Sequence, residues 1–247
     1  MSGYVVLFDG SLDGLLCAVY AYYYDKILPL SIQTEDEYQP MLGAENYFVA
    51  SDPEKAKRVW EGIRKKISPG AAYNVYTAFL SGEVEKHMAI FKYIVLGFKR
   101  GASVDNRLQE DCVLRVHKLA RMTGYEAHML SGFCRFAETK QGAYYCAISP
   151  KHRVLQLLAE HFRDRFMNHA WVIHDKKRGE AAVYDGNDYV IVDAPKDAAV
   201  EYSDDETRAR DMWAAFFSTI AIKERVNKNA QRRHAALYFR ANMLEFL

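Results

Sequence analysis

The spacing of apolar and polar positions divides the chain into recognisable elements. Tyr4 to Phe8 is a β-branched and aromatic run that ends in Asp9-Gly10-Ser11, a turn signal. Leu12, Leu15, Leu16, Val19, Tyr20 and Tyr23 then fall at i, i+3, i+4, i+7 spacing, which predicts a helix capped by Ser11. Residues 25–45 carry Pro29, Pro40, Gly43 and the acidic run Glu35 to Glu37, and read as an irregular connection before a second strand at Asn46 to Ala50. Ser51-Asp52-Pro53-Glu54 is a capping box with proline in the first turn. It opens a helix with Ala56, Val59, Trp60, Ile63 and Ile67 on one side, which Ser68-Pro69-Gly70 stops. From Ala72 to Gly124 the pattern is helical, broken near Ser81-Gly82 and at Gly101-Ala102-Ser103. In the last of these helices Leu108, Cys112, Val116 and Leu119 form the buried stripe, and His87 and His117 read as ordinary surface positions.

After Glu126-Ala127-His128 the period changes to that of strands. Gly132 to Ala137 and Ala143 to Ile148 predict an antiparallel hairpin. Ser149-Pro150 starts a helix with the stripe Val154, Leu155, Leu158, Phe162 and Phe166. Trp171 to His174 and Ala181 to Tyr184 predict a second hairpin, and Tyr189 to Val192 a third strand after it. Ser203 to Glu206 caps another helix, with Met212, Trp213, Phe216, Phe217, Ile220 and Ala221 as a bulky stripe, and the basic segment Lys223 to Arg240 continues as helix. The expected class is α+β: a mostly antiparallel sheet of two hairpins plus a third strand, packed with several amphipathic helices. One continuous domain over 1–247 is the economical organisation, with a division into a helix-rich 1–125 and a sheet-bearing 126–247 as its alternative.

Composition narrows the setting. Half of the residues are hydrophobic, 13% are aromatic and 26% are charged, as in a globular protein with an ample core. The four cysteines, at 17, 112, 134 and 146, lie in no paired spacing, and nothing before Tyr4 resembles a secretory signal, so a reduced cytoplasmic protein is expected. Apolar runs are broken by charge well short of the ~20 residues that cross a bilayer, so no membrane association is expected. With a net charge of +1, any nucleic-acid binding must come from local patches.

Several stretches are similar to a known family. YVVLFDGSLDGLL near the start, EAHMLSGFCRF, YYCAISPKHRVLQLLAEHFRDRF, WVIHDKKR, WAAFFSTIAIKERVN and LYFRANMLEF resemble a bacterial domain of unknown function associated with DNA metabolism, over nearly the whole chain from Tyr4 to Phe246. Genes of that family tend to lie beside one for a radical-SAM protein, and a related domain is sometimes fused to a uracil-DNA-glycosylase-like domain. The chain departs from the family pattern at Lys228 and Ala236, where proline is usual. The resemblance implies DNA modification or repair and a radical-SAM protein as partner; it lends no reaction.

Candidate chemistry falls into three groups. Asp9, at a strand end before a serine-capped helix, reads either as a carboxylate beside an anion site on the helix amides or as a turn aspartate. Glu126 and His128, two residues apart in a segment taken as extended, point the same way and with His161 and His174 form a candidate acid–base site; the alternative is a set of ordinary hydrogen-bonded histidines. Asp9, Glu126, His128 and His161 are therefore the candidate catalytic residues of a hydrolase or nucleotide-processing enzyme. Arg135, Arg153, Arg165, Lys177, Arg178, Arg225, Arg232 and Arg233, interleaved with aromatics, suit phosphate contact and base stacking in DNA, or are solvated faces. No C-x-x-C or H-E-x-x-H spacing is present, so no metal or cofactor is expected. The C-x-x-x-C-x-x-C ligands of a radical-SAM cluster are also missing, which assigns that chemistry to a partner. The leading expectation is a DNA-metabolism protein acting by nucleic-acid or partner binding; a structural adaptor is the third reading.

Overall fold

The computed structural model describes residues 3–220, 227, 229, 239 and 240. They form two compact units, Met1–Gly124 and Tyr125–Leu247.

In the first unit β1 (Tyr4–Phe8) is the centre of a three-stranded parallel sheet of order β2-β1-β3. Val5, Val6, Leu7 and Phe8 are all buried. The uninterrupted apolar run is what a parallel strand covered on both faces requires. Ser11 caps α1 (Leu12–Tyr24) by accepting the Gly14 amide, and the helix crosses to β2 (Pro29–Thr34). This β2 lies in the stretch read as an irregular connection. Pro29 is tolerated because it is the first residue of an edge strand, where a missing N–H costs little. The chain then returns past β1 to β3 (Glu45–Phe48) and enters α2 (Pro53–Gly62). The N-cap of α2 is Asp52, not Ser51: its carboxylate accepts the amides of Glu54 and Lys55. A π turn, Ile63–Ile67, follows and ends at Ser68, as expected, and Ser68-Pro69 also opens α3 (Pro69–Phe79), since the Ser68 hydroxyl accepts the Ala71 amide. Next come α4 (Lys86–Arg100), a 3₁₀ segment Gly101–Asn106 and the start of α5 (Asp111–Phe133). Leu15, Leu16, Val19, Ile63, Val75, Ile90, Ile94, Val116 and Leu119 share one core. Each such side chain contributes roughly 1.5–3 kcal/mol on burial.

The division between the units falls within α5. The second unit holds a five-stranded sheet of order β4-β5-β6-β7-β8: β4 (Ala137–Glu138), β5 (Tyr144–Ile148), β6 (Trp171–Asp175), β7 (Glu180–Tyr184) and β8 (Tyr189–Asp193). Helix α6 (Leu155–Arg165) joins β5 to β6, and these two strands pair in parallel from Tyr144↔Trp171 to Ile148↔Asp175. The class is α+β, but the first sheet is parallel and the second mixed, which corrects the mostly antiparallel expectation. The reason is in two places. The segment Glu126 to Phe133 continues α5, leaving only two residues for β4; and α6 is a crossover, so β5 must pair with β6 in the same direction. Leu155, Leu158, Ala159 and Phe162 of α6 pack on Ile148, Trp171, Ile173 and Tyr184. Helix α7 (Asp204–Ile220) is capped by Ser203, which accepts the Glu206 amide. Within it Met212, Trp213 and Phe216 of the bulky stripe are exposed. No helix among the described residues is long and apolar enough to cross a membrane.

Candidate functional sites

The carboxyl edge of the first sheet is a natural ligand position, because strand order reverses there, between β1 and β3. Asp9 Oδ1 accepts the Ser11 amide at 2.9 Å and the Ser11 hydroxyl at 2.6 Å. The Ser51 hydroxyl donates to Asp9 Oδ2 at 2.7 Å. Burial pushes the Asp9 carboxyl up, but the bonds from the Ser11 hydroxyl, the Ser11 amide and the Ser51 hydroxyl outweigh it and hold the group below the usual carboxylate range. An anion arriving at these helix starts would meet Asp9 and the capping carboxylate of Asp52. The geometry therefore matches the turn-aspartate alternative: Asp9 locks β1 to α1 and to the entry of α2.

A cleft of about 820 Å³ opens elsewhere in the same unit, between β2, α4 and the first turns of α5. His87 lies in its wall and is only 5% exposed, with its ring against Phe8 and Phe79. Burial, with Lys86 adding to it, lowers its pKa to about 4, so the imidazole is neutral. The surface position expected for His87 is thus corrected: Phe8 and Phe79 supply aromatic partners that sequence spacing could not reveal. His117 is also engaged, with Nε2 at 2.9 Å from Asp105 Oδ1, which accepts the buried Tyr93 hydroxyl at 2.5 Å.

In the second unit the Glu126 carboxylate is buried and accepts the backbone amides of Lys151 at 2.8 Å and His152 at 2.7 Å. His128 is exposed on the same helix, where residues two apart face nearly opposite ways. The single face expected for Glu126 and His128 assumed extended chain, and the helix removes it. His161 is exposed on α6 with its ring against Phe162. His174 is buried in β6; its Nδ1 lies 2.8 Å from the Tyr145 hydroxyl and its Nε2 has no partner among the described residues. Burial and then Lys176 lower the His174 pKa, against Asp175, while burial lifts the Tyr145 hydroxyl to about 12. A neutral imidazole and a neutral phenol follow. Glu126, His128 and His161 thus have separate surroundings within this unit, and Asp9 belongs to the other unit.

The candidate DNA-binding cations divide sharply. Arg178 donates to the fully buried Asp175 at 2.8 Å, to the Lys151 carbonyl at 2.8 Å and to the Pro150 carbonyl at 3.3 Å. With Glu126 it clamps the loop between β5 and α6 from two sides. Arg153 pairs with Glu180 at 2.8 Å, and Arg135 donates to the Gly132 carbonyl at 3.1 Å. Arg165 and Lys177 are exposed. Arg225, Arg232 and Arg233 lie outside the described residues.

Sequence spacing did not single out the aromatic cluster at the end of α6. Tyr144, Phe166 and His169 meet one another at centroid distances of 5.0–5.3 Å. Arg163 lies over the Tyr189 ring at 6.0 Å. His169 is exposed and the others are partly so. The cluster joins β5, α6 and the turn before β6, and only the βαβ crossover brings these together. Among the described residues no group of three or more histidines, cysteines, aspartates or glutamates is placed to hold a metal ion.

Residues 84–245 match the family model of a domain of unknown function, DUF4130. No curated protein and no solved structure matches the chain.

Proposed function

The chain belongs to the DUF4130 family, and from that premise we propose that it is a cytoplasmic protein of DNA metabolism, in modification or repair, that holds single-stranded or distorted DNA and works beside a radical-SAM partner. The observation that carries the DNA reading is the partly exposed cluster Tyr144, Phe166 and His169, with Arg165 exposed on the same helix end and Arg163 over Tyr189. Aromatic faces stack on bases without regard to sequence, and arginine planes and charges take the bases and phosphates beside them. The context of DNA metabolism and the radical-SAM partner rest on the resemblance that runs from Tyr4 to Phe246. The exposed Met212, Trp213 and Phe216 of α7, two of them stacked at 5.6 Å, offer an apolar face of the kind that partner proteins cover.

Fluorescence anisotropy with a short labelled single strand tests the DNA reading. Weak binding is expected, falling steeply as salt rises, with a slope reduced by about 0.7 for each phosphate contact removed. Arg165→Ala should reduce both affinity and slope. Absence of binding at low ionic strength, or binding that ignores salt, contradicts the proposal. Co-purification of the full chain with a radical-SAM protein tests the partner.

A further inference from the structure

We propose that the cleft of the first unit is a binding site for a small phosphate monoester that carries an uncharged, hydrogen-bonding ring. Its volume of about 820 Å³ is in the range of small-ligand pockets. Two stripes face it at helical spacing: Glu85, Met88, Ala89 and Lys92 on α4, and Asp111, Leu114, Arg115 and Lys118 on α5.

The charges on these stripes are not equivalent. Glu85 is the N-cap residue of α4 and Asp111 the first residue of α5, positions where a helix favours a carboxylate whatever the site does. Lys92, Arg115 and Lys118 lie further along their helices, where the dipole gives them no such reason. None of the three makes an ion pair among the described residues. The remaining acid of the lining is Glu37, on the turn after β2. Three cations around one opening suit a dianionic head, and a guanidinium suits its oxygens two at a time. A phosphate monoester carries about −1.5 to −2 charges at neutral pH, where a carboxylate carries one.

The ring preference comes from His87. It is 5% exposed, has no hydrogen bond to a described residue, and lies in the cleft wall between Phe8 and Phe79. As a neutral imidazole it offers one donor and one acceptor, and its ring nitrogens are not among the enclosed polar atoms, so a ligand in the cleft can reach them. Ile32, Met88 and Leu114 provide an apolar wall for the body of the ligand.

Cys112, half-buried and free, also lines the cleft and reports occupancy. Its labelling by N-ethylmaleimide at mildly alkaline pH is followed by mass spectrometry in the full chain, with Cys134 of the other unit as the internal reference. The probes are adenosine monophosphate, adenosine and inorganic phosphate. Adenosine monophosphate should slow labelling of Cys112 and leave Cys134 unaffected, and each half of the molecule should protect less. Arg115→Gln and Lys118→Gln, both at solvent-reached positions, should each weaken protection by about tenfold. The proposal is overturned if adenosine monophosphate does not slow labelling, if phosphate alone protects equally, or if both variants are protected as well as the unaltered chain.

Discussion

The Glu126 carboxylate accepts the backbone amide of His152 at 2.7 Å, and the neighbouring amide of Lys151 completes the pair. A side chain from α5 thereby fixes the loop that leads from β5 into α6. Glu126→Ala would take this acceptor from the buried His152 amide, at a cost of about 1–3 kcal/mol, and from the part-buried Lys151 amide, at a smaller one. A loss of about 2 kcal/mol in denaturant unfolding is expected, and a smaller one for Glu126→Gln, which keeps one acceptor. An Ala variant within about 0.5 kcal/mol of the parent would contradict the clamp.

Arg178 is predicted to matter for stability before it matters for ligands. Its partner Asp175 is fully buried, and removing one member of a buried pair costs about 3–5 kcal/mol. Arg178→Ala should lower the unfolding midpoint strongly, whereas Arg165→Ala should leave it unchanged and weaken DNA binding. Equal stability of the two variants would show that Arg178 is not structural.

The pH dependence has a definite sign. Burial lowers the His87 pKa from 6.5 to about 4, so the unfolded chain binds the proton more readily than the folded one. The stability that neutral His87 contributes is present above about pH 6.5 and is lost as pH falls towards about 4. His87→Phe keeps the contacts with Phe8 and Phe79 and cannot titrate. Chemical unfolding across this window should show a shallower decline for His87→Phe than for the parent; parallel declines would contradict the assignment.

Gly14, in the first turn of α1, is required by the close approach of Asp9 and Phe8. A Cβ there would strike Asp9 Oδ1 and come within 2.9 Å of the Phe8 ring and 3.0 Å of Ser51 Oγ. Gly14→Ala is therefore expected to cost about 1–3 kcal/mol despite its better helix propensity. A stabilised variant would mean that the Asp9–Ser51 contact gives way without loss.

What could be read in the sequence was what neighbouring residues decide. The apolar run Val5 to Phe8, the Ser11 cap and the stripe of α6 depend on spacing within one element, and all three stand in the structure. Strand direction was not readable in this way. The pairing of β5 with β6 follows from the crossing path of α6, and β2 was hidden because Pro29 and an exposed edge strand mimic a loop. The pairing expected for Glu126 and His128 was lost for a related reason. Glu126 and His128 share a face only in extended chain, and the continuation of α5 through Phe133 turned them apart. The Tyr144, Phe166 and His169 cluster draws on three elements, so no single stretch announces it.

Ultraviolet cross-linking of a single-stranded oligonucleotide to the full chain, with the joined peptides identified by mass spectrometry, tests the central reading most directly. Cross-links are expected at Tyr144, Phe166, His169 or Tyr189, lost as salt rises, and fewer in Arg165→Ala. Cross-links confined to other surfaces, or none at low salt, would contradict it.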